Sequence, residues 1–487
     1  MSSANAPTPT GPSAAALTAA QRRAVAELLR VSPVADELGR RFAAAGHELY
    51  LVGGSVRDAL LGRLGDDLDF CTDAPPEATL AAVRGWAEAI WETGREFGTI
   101  GVARRGLRLE ITTYRAEAYD GVTRNPAVAY GTDLAGDLSR RDFTVNAMAV
   151  SVPGHAFVDP HGGLADLAAR VLRTPGPPER SFGDDPLRML RAARFAAQLR
   201  FAVDPAVRAA MTAMAADLDR ITAERIRDEF SKLLCGADPV TGLRLLVDTG
   251  LADRFLPELA GLKLEIDEHA QHKDVYEHTL TVVANAVRLE RDTGPDLVLR
   301  LAALLHDVGK PATKEVSGDG RVSFHHHEVV GARLARTRLR ALRYPKDVIG
   351  DVAHLVALHL RFYGYGRGEW TDSAVRRYVT DAGPLLSRLH LLTRSDCTTR
   401  NKRKAAALAA DYDALEGRIA RIAAAEDLAR VRPDLDGNAI MELLGVPPGP
   451  VVGRAWRYLK EARLERGPLS RDEAETLLRE WAAREGL

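Results

Sequence analysis

With 487 residues the chain exceeds a single hydrophobic core and points to roughly two to four domains. Hydrophobic residues at 46% and charged residues at 27% fit a globular protein. A formal net charge of −1 excludes nucleic-acid binding by overall basicity, so any such site must come from local Lys and Arg clusters. Three scattered cysteines (Cys71, Cys235, Cys397) form no CxxC and exclude a thiolate zinc site, and no apolar run reaches the roughly 18 residues of a membrane span, so a cytoplasmic protein without a membrane partner is expected.

The opening MSSANAPTPTGPSAAA lacks the basic and apolar regions of a signal peptide and predicts a disordered tail over 1–17. Helical periodicity follows over 18–46 through Leu28, Leu29, Val34, Leu38 and Phe42. From there to about 174 strand-like runs alternate with turns: ELYLVGG, DDLDF, TIGVARR, LRLEITTYR and FTVNAMAV. The stretch 116–137 is polar and Gly-dotted and reads as a mobile loop or, equally, as a plain surface connection, and the Pro/Gly-rich RTPGPPERSFGDDP (173–186) marks a boundary with helix-start chemistry. Strand signals nearly vanish beyond it. The expected class is therefore α+β: a head over 18–174 with a small mixed sheet, then helical blocks at 175–262, 263–400 and 401–487.

In LVGGSVRDALLGRLGDDLDF, Gly53 and Gly54 let a buried strand turn tightly into a helix, whose bare N–H groups suit phosphates. On the following strand Asp67 and Asp69 point one way, Leu68 and Phe70 the other. Paired carboxylates repel unless a cation sits between them, and oxygen ligands suit Mg²⁺. In LRLEITTYR, Glu110 lies on the polar face of its own strand. If the two strands are neighbours, the three acids can hold two metals about 4 Å apart, the arrangement used for nucleotidyl transfer.

The GG–VRD–DLD combination resembles the nucleotidyltransferase superfamily that includes DNA polymerase β. More specifically it is similar to the bacterial class II tRNA nucleotidyltransferases, the CCA-adding enzymes, with the related poly(A) polymerases. The resemblance implies a polymerase β-like head that binds CTP and ATP, with Asp67, Asp69 and Glu110 catalytic and Gly53, Gly54, Arg57 and Asp58 at the nucleotide turn. DLSRRDFTVNA resembles the family's ribose and triphosphate motif and assigns that grip to Arg141, Asp142 and Asn146; a local Arg141–Asp142 ion pair is the alternative. DDPLRMLRAARF resembles the family's amino-acid template, in which Asp185 and Arg188 meet the base edge. Arg191 and Arg194 continue that stripe on the nucleotide side, while Asp184 stands where Glu is usual. A carboxylate accepts an exocyclic amine while a guanidinium donates to a ring acceptor, and both C and A offer that pair. ERIRDEFSKLL (224–234) matches a later family helix, mostly structural, with Arg225 a candidate contact.

Ten of the thirteen histidines fall between His269 and His390. The order His278, His306-Asp307, His327, His359, Asp396 resembles the HD phosphohydrolases, and HDVGKP with FHHHE resembles the HD domains joined to bacterial CCA-adding enzymes. Imidazole plus carboxylate suits a divalent transition metal and phosphoester hydrolysis, with Lys310 placed to steady a phosphate. His269, His272, His326, His354 and His390 read as surface or packing residues. The basic run from Arg394 through Arg400 to Lys404 is a solvated helix face or a phosphate contact.

The expected function is therefore a CCA tRNA nucleotidyltransferase with an accessory HD domain, acting on tRNA with CTP and ATP. A poly(A) polymerase, a CC- or A-adding enzyme, and an HD phosphohydrolase with a non-catalytic head are the alternatives.

Overall fold

The computed structural model describes residues 33–63, 65–118, 127–130, 133–263, 274–290, 292–319, 322–362, 365, 370–399, 401–426 and 432–487. The expected tail over 1–17, Leu28, Leu29, His269, His272 and Arg400 lie outside them. The chain divides into two compact units, one comprising the residues up to Leu233 with Arg244–Arg254, the other Leu234–Leu243 with Phe255–Leu487.

The first unit holds α1 (Pro33–Ala44), β1 (Leu49–Val52), α2 (Gly54–Leu60), β2 (Asp67–Thr72), β3 (Ala89–Trp91), β4 (Thr99–Arg104), β5 (Leu107–Thr113), β6 (Arg115–Ala118), β7 (Ala127–Tyr130), β8 (Ala149–Ser151), β9 (Phe157–Val158), α3 (Pro178–Asp184), α4 (Leu187–Leu199) and α5 (Ala223–Leu234). A mixed seven-stranded sheet runs β3-β4-β5-β2-β1-β8-β9. Its β2 and β5 pair in parallel, whereas β1–β2, β3–β4, β4–β5, β1–β8 and β8–β9 are antiparallel. Period-two alternation sets the faces: Leu68, Phe70, Leu109 and Ile111 are at most 3% exposed, while Asp67, Asp69, Arg108 and Glu110 face out. Behind the sheet α1 buries Val34, Leu38 and Phe42, the periodic residues read from the sequence.

Two local expectations are corrected. In FTVNAMAV only the end is strand; Thr144–Asn146 winds into a 3₁₀ turn, because Thr144 is drawn aside by its hydroxyl bond to Asp166 (2.6 Å). The stretch read as one irregular loop contains the β6–β7 hairpin and a short helix, Leu134–Ser139, capped by the Asp133 carboxylate.

Among its described residues the second unit's regular structure is helical apart from the hairpin Lys314–Val316/Val322–Phe324, whose three-residue strands are too short to print a period in the sequence. Its helices include α6 (Val275–Leu289), α7 (Leu297–Leu305), α8 (His327–Ala341), α9 (Lys346–Leu358), α10 (Asp372–Ala382), α11 (Leu386–Asp396) and α12 (Lys402–Ala425). α7 is buried from Val298 to Leu305, so it is apolar on all sides save Arg300, which donates to Glu290 (2.8 Å) and to the Leu234 and Gly236 carbonyls (2.7 and 2.8 Å). Gly437–Leu444, Pro450–Arg466 and Arg471–Glu485 share a separate core around Ile440, Leu459, Leu478 and Trp481. Among the described residues no helix is long and apolar enough to cross a membrane.

Candidate functional site

The parallel pairing of β2 with β5 puts Asp69 directly beside Glu110 and Asp67 beside Arg108. Residues paired this way share a face, so three carboxylates crowd one edge of a pocket lined by Asp67, Leu68, Asp69, Trp91, Arg108 and Glu110. Among the described residues none of the three acids forms an ion pair. Desolvation at the pocket floor and the Glu110 carboxylate raise Asp69 above the usual carboxylate range, with Arg141 pulling the other way. An oxygen-only donor set under such mutual repulsion fits a hard divalent cation. Sequence reasoning missed Ser55. Its hydroxyl accepts from Asp69 N (3.0 Å) and donates to Asp67 O (3.3 Å), fastening the start of α2 to the acid strand.

Gly53 turns β1 into α2 with φ +68, and a Cβ there would sit 2.9 Å from Arg141 Nη1 and 3.9 Å from Asp69 Oδ2. Arg141 bonds Asp137 (3.0 Å) and not its neighbour Asp142, so the local ion pair weighed from sequence does not form. Arg57 and Asp58, expected at the nucleotide, instead form a fork (2.9 and 2.8 Å), and Arg57 Nη1 donates to Asn146 Oδ1 at 2.6 Å. Asn146 Nδ2 then donates to Asp142 Oδ1 (2.9 Å), whose other oxygen takes two bonds from Arg191 (2.8 and 2.6 Å). Asp142 and Asn146 are 7% and 5% exposed, so a brace, more than an open sugar grip, is what the geometry shows. Burial works against the Asp142 carboxylate, but Arg191 and Asn146 hold it down at about 2.

In the template helix Arg194 pairs with buried Glu229 (2.8 Å) and lies over the Phe195 ring, while Arg191 also approaches Glu229 at 3.6 Å. Both arginines expected to contact nucleotide are thus engaged inside the protein, and burial lowers Arg194 to about 10. Asp185 caps α4 through Leu187 N (3.1 Å) and pairs with Arg225 (2.9 Å). Arg188 donates to Ser181 Oγ (2.9 Å) and Arg140 O (2.6 Å), so neither member of the expected base-reading pair bonds the other.

The second unit gathers all six residues of the histidine constellation. His278 comes from α6, His306 and Asp307 follow α7, His327 opens α8, His359 follows α9, and Asp396 ends α11. They form two groups, His278–His306–Asp396 and Asp307–His327–His359. Asp307 bridges them: its Oδ2 lies 3.2 Å from His306 and 3.5 Å from His278, its Oδ1 3.3 Å from His327 and 3.9 Å from His359. Asp396 closes the set at 2.9 Å from His278. Three rings point Nδ1 at backbone carbonyls, His306 at Ala303 (2.8 Å), His327 at Phe324 (2.8 Å) and His359 at Val356 (2.6 Å). His278 Nδ1 meets Thr398 Oγ1 at 3.0 Å. A ring whose Nδ1–H is so occupied turns its Nε2 lone pair to the centre, as imidazoles that bind a metal do when their far nitrogen is anchored. Burial and neighbouring His306 push His359 down to about 4, leaving it neutral as a ligand must be. Despite burial, His306, His327 and Lys310 hold Asp307 well below the usual carboxylate range. The donor set therefore fits a divalent transition metal. Lys310, expected on phosphate, donates to Asp307 Oδ2 (2.6 Å).

Of the other histidines, His326 is exposed, His354 bonds Asp381 O (2.6 Å) and His390 stacks on Tyr378, all outside the cluster. In the basic run Arg394 is held by Asp413 (2.7 Å) and Glu416 (3.0 Å), while Asn401 caps α12.

Residues 49–173 match the Poly A polymerase head domain, 200–262 the family described as "Probable RNA and SrmB- binding site of polymerase A", and 275–423 the HD domain. The chain is 36% identical over 438 residues to the A-adding tRNA nucleotidyltransferase of Deinococcus radiodurans, spanning 89% of this chain and 95% of that protein. It is 34% identical over 441 residues to the CC-adding tRNA nucleotidyltransferase of Thermus thermophilus, spanning 89% and 94%. Among solved structures it is similar to a Bacillus stearothermophilus CCA-adding enzyme in complex with CTP, at 26% identity and TM-score 0.69, covering 93% of this chain and 99% of that one.

Proposed function

The chain belongs to the family of class II tRNA nucleotidyltransferases and poly(A) polymerases, and from that premise we propose that its head adds C, C and A to the tRNA 3′ end from CTP and ATP, without a nucleic-acid template and with release of pyrophosphate. The observation that supports this most is the in-register placement of Asp69 beside Glu110, with Asp67 two residues away and, among the described residues, no ion pair to any of the three.

Asp67 and Asp69 would hold two Mg²⁺ and Glu110 would share the one nearer the acceptor; when bound, the pair supplies charge stabilisation to the attacking and leaving oxygens. Gly53 leaves the backbone bare at the turn, so a triphosphate can approach Arg141 and the N–H groups of α2. The chain Arg57–Asn146–Asp142–Arg191 ties that turn to α4, and so keeps Asp185 and Arg188 in one frame with the phosphates. Asp185 accepts the exocyclic amine of C or A, and Arg188 donates to the neighbouring ring acceptor.

The six residues of this cluster, four of them buried, would hold a divalent transition metal, which would supply Lewis acidity for phosphoester hydrolysis. His278, His306, His327 and His359 would present Nε2 to the ion, each Nδ1 being held by a partner of its own, and Asp307 and Asp396 would supply negative charge. A cytoplasmic setting is part of this reading.

A second reading, addition of only CC or only A, is favoured by the two full-length relatives, each of which adds only part of the triplet. Transcripts ending before CCA and after CC, incubated with CTP, ATP or both, separate the readings. CCA addition gives two C from CTP alone and a third nucleotide only with ATP. A CC-adding enzyme stops after two with both triphosphates, an A-adding enzyme extends only the CC-ended transcript, and a ladder of A supports a poly(A) polymerase.

A further inference from the structure

Four strands of the head sheet bring one residue each to a single row. Trp91 of β3 stands opposite Gly101 of β4, Gly101 opposite Glu110 of β5, and Glu110 opposite Asp69 of β2. Residues paired across neighbouring strands share a face, so the Trp91 indole lies on the same face as the acids. A Cβ at Gly101 would overlap the indole nitrogen, and Gly101 is not among the glycines with positive φ. The backbone there does not call for glycine; the ring lying across β4 does. It reaches inward far enough to line one pocket with Asp67, Asp69, Arg108 and Glu110.

Arg108 sits on β5 beside Asp67 in the register, exposed on the same face, and among the described residues its guanidinium has no ion pair. The opposite flank of the acids is the Gly53 turn with Arg141, on β1 and α2. Because β1 and β5 lie on opposite sides of β2, the acids have a cationic turn on one flank and an indole with the Arg108 guanidinium on the other. In-line transfer places the attacking and leaving oxygens on opposite sides of the phosphorus. If the triphosphate takes the turn, the acceptor must arrive over Trp91.

We propose that Trp91 and Arg108 form the acceptor-end subsite, the indole stacking on the 3′-terminal base of the RNA and Arg108 pairing with the phosphate of that nucleotide. The proposal rests on the nucleotidyl-transfer reading of the head. Stacking suits the task, because the terminal base of the unextended RNA differs from that of the C-ended one and any base offers a ring face to an indole. Gly101 acts through Trp91 as a positioning residue. The purely structural alternative is that the indole only covers the strand glycine.

The test uses the full chain, a tRNA transcript ending before CCA, and separate titrations of transcript and CTP. Trp91→Ala should raise KM for transcript about tenfold with KM for CTP unchanged, and Trp91→Phe should restore most of it. Gly101→Ala, which keeps the indole but displaces it, should raise KM for transcript in the same sense. Arg108→Gln should lower the slope of log affinity against log salt by about 0.7. Transcript KM unaffected in Trp91→Ala, or KM for CTP rising with it, would overturn the proposal while incorporation by the unmodified chain keeps the head's function intact. If the unmodified chain incorporates nothing, the function reading fails separately. Transcript binding without triphosphate then decides the subsite: weaker binding by Trp91→Ala than by the unmodified chain supports it, equal binding overturns it.

Discussion

The two clusters of metal-type ligands solve the same electrostatic problem in opposite ways. In the head, Asp67, Asp69 and Glu110 stand open on a strand face, positioned by β-register and by Ser55. In the second unit His306, Asp307, His359 and His327 are 1%, 1%, 2% and 8% exposed, and each ring is fixed through its far nitrogen. An open, oxygen-only set takes its cations with a triphosphate and gives them up with pyrophosphate. A closed nitrogen and oxygen set keeps a resident ion. On the proposed reading, exposure and donor type distinguish a metal site loaded with the substrate from one that would keep its ion.

The largest effect that sharpens this contrast is Asp69→Ala. Nucleotide incorporation should fall by at least about three orders of magnitude, because transition-state charge loses a metal anchor. The melting temperature should stay level or rise, since a carboxylate already raised by desolvation and by Glu110 is removed. Metal content of the purified chain should not change. A fall in resident metal on Asp69→Ala would erase the distinction drawn between the two sites.

Asp307→Asn probes the other side. It removes the charge that bridges both ligand groups, so resident transition metal measured by elemental analysis should drop by more than about tenfold. Incorporation with added Mg²⁺ should persist. Loss of both activities together would mean that the two sites do not act independently.

The smallest effect concerns the brace in the head. Asp142 is held at about 2 against an ordinary 3.8, so its folded pKa is depressed. The stability it contributes is present above its unfolded pKa and lost as pH falls through the folded one. Urea denaturation should show Asp142→Asn less stable by about 2 kcal/mol at pH 7, with the gap closing between pH of about 4 and about 2. A gap that persists at pH 2 would mean the loss is steric and not electrostatic.

The sequence made the chemistry of both sites legible where side-chain type and period suffice. Alternation assigned Asp67, Asp69 and Glu110 to the polar faces of their strands, and the six ligands of the second unit stand at helix ends that bring them together. What stayed hidden was pairing across the chain. Neither period nor composition shows that Arg57 and Asn146 meet 89 positions apart, or that Arg191 turns to Asp142 and not to open solvent. Trp91 escaped for the same reason, because only the β3–β4 register sets it against Gly101. Ser55 had a local signal, a hydroxyl at a helix start, but its partners Asp67 and Asp69 are on another element.

Crystals grown with Mn²⁺ and a non-hydrolysable CTP analogue, read by anomalous scattering, test the central claim most directly. Ion density touching the carboxylates of both Asp67 and Asp69, with the triphosphate on the Gly53 flank, is the result expected. Manganese confined to the buried histidine cluster, with the analogue bound and the three head acids bare, would contradict it.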